Sequence, residues 1–129
     1  GYPRNLQQIK NLELILTQFN QKIGAIIYLN VSREIIKKRI IGRMTCEKCN
    51  MTLNRFFNKK EIELHPCGKN YLKKRKDDNN EIVISRYDTY MKKTKPVLDF
   101  YSKKDNFNEI DGSLKIEAIT GIIDKILRV

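Results

Sequence analysis

The chain has 129 residues, with 26 Lys or Arg against 15 Asp or Glu, one His and a net charge of +11; its isoelectric point is near 9.7. That length allows one ordinary core plus a small satellite element, and the charge favours a polyanionic partner: nucleic acid, an anionic membrane surface or a phosphate-rich small ligand. No apolar run approaches the roughly 20 residues of a membrane span, and no signal-peptide pattern opens the chain, so we expect no membrane partner and a soluble, cytoplasmic protein.

Pro3 followed by Leu6, Ile9, Leu12, Leu14, Ile15, Leu16 and Phe19 predicts a helix from about 4 to 20. Residues 25–31 (Ala-Ile-Ile-Tyr-Leu-Asn-Val) form an apolar, β-branched run between Gly24 and Ser32, suited to a strand of a parallel sheet buried on both faces. Ser32 is a good N-cap, and a helix from about 33 to 42 should follow it. Residues 44–78 differ in kind, with short alternating stretches, eight Lys or Arg after Cys49 and too few aliphatics for a core of their own. Next, Ile82, Val83, Tyr87, Tyr90 and Met91 mark a helix that Lys95-Pro96 interrupts, predicting a kinked or two-piece element through Tyr101. A short strand at 106–110 ends at Asp111-Gly112, and a last helix runs from about 114 to 128. The order helix, strand, helix, insert, helix, strand, helix predicts an α/β layer with parallel strands.

All three cysteines and the only histidine fall in one window: Cys46-x-x-Cys49, then His65-Pro66-Cys67-Gly68. Thiolate and imidazole are preferred ligands of tetrahedral zinc. An odd number of cysteines argues against a secreted disulfide framework and for a reducing compartment. The bland alternative is three unrelated thiols and a surface histidine. A structural metal can replace a core, so residues 44–78 are expected to be a metal-stapled insert.

Gly1-Tyr-Pro-Arg4, Arg39-Ile-Ile-Gly-Arg43, Arg75-Lys-Asp-Asp-Asn79, Tyr90…Lys95-Pro96-Val-Leu…Tyr101 and Ile110-Asp-Gly112 stand in the order found in adenylate kinases. The chain resembles such an enzyme over essentially its whole length, in the long form with a zinc-bearing lid. The resemblance implies a partial parallel-sheet core of a P-loop nucleoside monophosphate kinase, two strands with flanking helices, formed by residues 1–42 and 79–129. Residues 43–78 would be the lid. It also implies the exchange ATP + AMP = 2 ADP, with magnesium accompanying ATP and zinc structural in the lid. Phosphoryl transfer requires charge stabilisation over several phosphates, for which the planar fork of Arg is suited.

Carried over residue by residue, Arg4 would bind the AMP phosphate and Gln8 the AMP adenine edge, with the backbone of Gly1 nearby. Arg39 would lie over the ATP adenine and Arg43 would contact ATP phosphates. The backbone at Thr52 and Leu53 would meet ATP, and the Leu114 carbonyl would read its adenine. Arg75 and Arg86 would clamp the transferring phosphoryl group and AMP, which makes Arg43, Arg75 and Arg86 the catalytic set. Taken alone, Arg39 and Arg43, one helical turn apart, are equally compatible with a solvated basic face. Asp77 and Asp78 read as carboxylates that pair with these arginines rather than as general bases.

Two departures from the family pattern stand out. Zinc lids usually pair C-x-x-C with a second C-x-x-C or C-x-x-D, whereas the expected third-ligand position here is Leu64. Either His65 completes a set of Cys46, Cys49, His65 and Cys67, or water or a backbone atom fills the fourth place; we take the His65 reading. The family's glycine loop, G-x-x-x-x-G-K, and its AMP-binding segment are also absent from these residues. The chain is therefore expected to be a fragment inactive by itself. It should form a homodimer through the edge of strand 25–31. The competing classes are a basic zinc-ribbon module that binds nucleic acid and a pseudokinase that only binds nucleotide.

Overall fold

The structure, a computed structural model, describes residues 1–128. In chain order its elements are α1 (Leu6–Gln18), β1 (Ile26–Asn30), α2 (Arg33–Ile41), β2 (Arg43–Cys46), β3 (Thr52–Asn54), α3 (Lys59–Glu63), β4 (Leu72–Lys74), α4 (Asn80–Tyr101), β5 (Phe107–Asp111) and α5 (Ile116–Leu127). Two compact units emerge: Gly1–Val31 with the stretch from Asp88 onward, and Ser32–Tyr87.

In the first unit, α1 begins at Asn5, whose side chain accepts from Gln8 N at 2.8 Å. Gln8 reaches back in turn to the Arg4 amide at 2.6 Å, a variant of the capping box. The apolar spacing then turns Ile9 inward, where it is 1% exposed and packs with Val97 and Tyr101. Ile23, Ile26, Phe100 and Phe107 surround this core. β1 and β5 pair in parallel, Ile26 opposite Phe107 through Asn30 opposite Asp111, as the alternating element order predicts. β1 is not enclosed on both faces: Leu29 is 46% exposed. Among the described residues β5 is its only strand neighbour. Where β5 leaves the sheet, a Cβ on Gly112 would lie 2.4 Å from Val31 Cγ2, so the turn requires glycine for space.

Of the two forms expected at Pro96, the two-piece one does not occur: α4 runs through it for 22 residues. Proline removes one hydrogen bond, to the Lys92 carbonyl. Both residues lie on the exposed side of the helix, where water can take that carbonyl. Val97 and Tyr101, on the inward side, anchor the final turns in the core.

In the second unit, Ser32 caps α2 by accepting from Ile35 N at 3.3 Å. The lysine-rich insert is a three-stranded antiparallel sheet of order β3-β2-β4, which the alternating stretches only hinted at. Its core is small: Cys46, Leu53 and Leu72, with Met44, Ile62 and Cys67 against them.

Candidate metal centre and arginine cluster

The second unit has two tight turns that prepare a ligand set. Asn50 follows Cys49 at φ 59° and Gly68 follows Cys67 at φ 81°, each a left-handed residue of a kind that asparagine and glycine tolerate. The Asn50 amide donates to Cys46 O at 2.9 Å, and Gly68 N to His65 O at 2.9 Å, closing the chain around its ligand atoms. The ligand atoms of Cys46, Cys49, His65 and Cys67 all lie within 4.8 Å of one another. His65 Nε2 stands 3.8 Å from Cys49 Sγ. A tetrahedral zinc bound by thiolate and imidazole sets such ligands about 3.6 Å apart, from metal–ligand lengths of roughly 2.0–2.3 Å.

His65 is 6% exposed, and its Nδ1 is buried without a hydrogen-bond partner. Three thiols and a buried imidazole whose ligand atoms converge this closely are the donors that tetrahedral zinc prefers, so the donor set fits a metal. The thiols split in their titration. Burial opposes ionisation of Cys46, but hydrogen bonds from His65 and from the Cys49 and Lys48 backbone outweigh it and bring the thiol down to about 6. Burial, reinforced by hydrogen bonds and charge from Cys49 and Cys46, pushes Cys67 up to about 11.

The same unit carries Arg39, Arg43, Arg75 and Arg86. Arg43, at the start of β2, grips Asp78 through two nitrogens: Nη2 lies 2.9 Å from Oδ1 and 3.1 Å from Oδ2, and Nε 3.2 Å from Oδ2. Asp78 is 1% exposed. Arg86 faces Asp77 at 3.7 Å across an exposed pair. Both carboxylates thus pair with arginines, as the sequence leads one to expect. Arg39 and Arg75 are exposed. Of the β3 pair, Thr52 is exposed and Leu53 is 8% exposed in the core, leaving backbone as Leu53's available contact.

In the first unit, Arg4 and Gln8 border an open cleft of about 720 Å³ with Gln7, Lys92, Lys93 and Pro96. The sequence reading passed over Lys92 and Lys93; their one available signal was adjacency to the Tyr90–Pro96 motif. Leu114 is 40% exposed, two residues past the Gly112 turn. Asn54, whose side chain bonds to the end of α2, carries no signal in the sequence.

A family model for adenylate kinase matches residues 1–106, and the chain belongs to that family. It is 70% identical to an adenylate kinase of Pelagibacter ubique (strain HTCC1062) over all 129 residues, covering 61% of that relative. It is 39% identical to one of Rickettsia bellii (strain RML369-C) over 131 aligned residues, covering 60% of that protein. The chain therefore spans about three fifths of the length of the curated relatives it matches. The mixed α/β architecture, with its short parallel sheet and flanking helices, fits the adenylate kinase fold. Among the described residues no helix is long and apolar enough to cross a membrane.

Proposed function

We propose that this chain is the larger part of a cytoplasmic enzyme of nucleotide biosynthesis that interconverts ATP, AMP and ADP. Residues 1–42 and 79–129 serve as core and 43–78 as a zinc-stapled lid. The observation that carries this is that Arg39, Arg43, Arg75 and Arg86 fall within one unit, with Arg43 forked onto the buried Asp78 and Arg86 beside Asp77. Phosphoryl transfer relies on such preorganised positive charge more than on a nucleophile of the protein.

In this reading Arg43, Arg75 and Arg86 stabilise the transferring phosphoryl group, and Arg75 and Arg86 also bind AMP. Arg39 covers the ATP adenine, and the backbone at Thr52, Leu53 and Leu114 completes the ATP side. Arg4, Gln8 and the Gly1 backbone receive AMP, and the cationic cleft shared with Lys92 and Lys93 supports that placement. Magnesium, carried in with ATP, neutralises phosphate charge. Zinc at Cys46, Cys49, His65 and Cys67 is structural.

These 129 residues contain no G-x-x-x-x-G-K loop, the element whose backbone amides cradle phosphates. The polypeptide alone is expected to form no ADP from ATP, AMP and magnesium above a buffer control, and to gain activity when an N-terminal segment carrying the loop is added. Turnover by the isolated chain, in a preparation free of host kinase, would overturn this.

The isolated polypeptide is also expected to dimerise at the open edge of β1. Beside that strand lies an apolar hollow of about 220 Å³ lined by Ile26, Ile27, Tyr28, Tyr90 and Leu98. An unpaired apolar edge is a template for another strand, and a second copy offers the matching one around a two-fold axis. Light scattering should give twice the chain mass; a monomer at micromolar concentration contradicts it.

A further inference from the structure

Asn54 is the cross-strand partner of Arg43 in the β2–β3 pair, and its side chain reaches past that strand to the end of α2. Its Nδ2 donates to the Arg39 carbonyl at 2.8 Å and to the Lys38 carbonyl at 3.2 Å. Its Oδ1 accepts from the Phe56 amide at 2.9 Å. Its own amide donates to Asn58 Oδ1 at 2.9 Å, and its carbonyl accepts from Phe57 N and Asn58 N. Helices end with carbonyls that lack an intrahelical donor; the Asn54 amide serves that of Arg39 and shares that of Lys38 with the Gly42 amide, which donates to it at 2.9 Å.

Gly42 joins α2 to β2 at the centre of this knot. A Cβ there would sit 2.4 Å from Asn54 Oδ1, 2.5 Å from Phe56 Cδ2 and 2.7 Å from Lys38 O. Its φ of −79° is ordinary, so the requirement for glycine comes from close approach rather than conformation. Arg55 N donates to Gly42 O at 2.9 Å, which ties the junction to β3 from the other side. The two flanking arginines, Arg39 on the last turn of α2 and Arg43 on the first residue of β2, are thus set by one fixed bend.

We propose that Asn54 is a positioning residue for nucleotide binding: by clamping the C-terminus of α2 to β3 around Gly42, it holds Arg39 and Arg43 in the relative orientation that a nucleotide polyphosphate meets. The inference rests on the nucleotide reading proposed above. The geometry of Asn54 is independent of the metal ligands, because its bonds run to α2 and to the β3–α3 turn.

The test compares the zinc-loaded chain with Asn54→Ala and Asn54→Asp. Asp keeps the acceptor for Phe56 N, loses the donors to Lys38 O and Arg39 O, and places a negative charge at a helix C-terminus, where it is unfavourable. Four quantities are read: ATP affinity by titration, zinc per chain, melting temperature, and amide exchange at Ile41 and Gly42. Both variants are expected to keep their zinc and melting temperature, to exchange these amides about tenfold faster, and to bind ATP about five- to tenfold more weakly, the loss of one or two modest hydrogen bonds. Unchanged ATP affinity in both variants, with wild-type binding intact, would overturn the inference and leave the nucleotide reading standing. Loss of zinc or of the melting transition in both would also overturn it, assigning Asn54 to holding the fold. Failure of the wild-type chain to bind ATP at millimolar concentration would remove the nucleotide reading, and the inference with it.

Discussion

Stripping the metal from Cys46, Cys49, His65 and Cys67 is expected to unfold residues 43–78 while α1, β1, β5 and α5 keep their structure. The buried hydrophobic core of the insert consists of Cys46, Leu53 and Leu72, and two of its three strands are three residues long. Three buried side chains leave the insert little hydrophobic stabilisation to set against the entropy of ordering its chain, and a structural zinc contributes its binding free energy directly to folding. The purified chain should carry about one zinc, consistent with a four-ligand structural site. Amide exchange after chelation should show protection lost in the insert and retained at Ile9, Val97 and Ile110. Cys49→Ser should lower metal affinity more than His65→Ala, since a thiolate contributes charge that a neutral imidazole does not. An insert that keeps its protection without metal would show that the sheet stands on its own.

The second large effect is expected at the Arg43–Asp78 pair. Arg43→Ala leaves a carboxylate that is 1% exposed without its two-nitrogen partner. Breaking a fully buried pair costs about 3–5 kcal/mol. The Arg43 side chain is 34% exposed, so solvent screens part of that attraction and the expected loss is about 2–3 kcal/mol. Arg43→Lys should fall between, because an ammonium cannot reproduce the fork. Asp78→Asn, which leaves no buried charge, should cost less than Arg43→Ala. Urea unfolding of the zinc-loaded variants measures this. Equal stability of Arg43→Ala and the parent chain would mean that Asp78 is solvated in solution and that the pair does not order the unit.

The readable parts of this fold were those written locally. The spacing of Leu6, Ile9, Leu12 and Leu16 made α1 legible, Ser32 announced α2, and the run at 25–31 announced β1. Pro96 left open whether α4 is one helix or two, because proline's cost depends on whether the orphaned carbonyl faces water, and sequence does not show which side of α4 is wet. β2, β3 and β4 were barely legible: strands of three or four residues give too few alternations to count. The metal ligands stood out through clustering of rare soft side chains, and Asn50 and Gly68 follow two of them in turns only such residues favour. Asn54 could not be found this way. Its role depends on β3 lying against the end of α2, a long-range contact, and asparagine after a short strand reads as an ordinary turn. Tertiary bonds of this kind, with Arg33 stacked 5.9 Å from the Tyr87 ring, also gather α2 into the same compact unit as the insert.

The basic charge leaves one rival reading, a zinc module for nucleic acid. Phe56 and Tyr71 are exposed, with Arg55 4.7 Å and Lys48 5.5 Å from their ring centroids. Titration of the zinc-loaded chain with an adenosine–polyphosphate–adenosine bisubstrate, in competition with single-stranded DNA, tests the account most directly. The proposed nucleotide reading predicts saturable, one-site binding of the bisubstrate that Arg43→Ala and Arg86→Ala each weaken, with DNA displaced by salt well before the dinucleotide. Binding of DNA alone, with no bisubstrate binding at millimolar concentration, would contradict it.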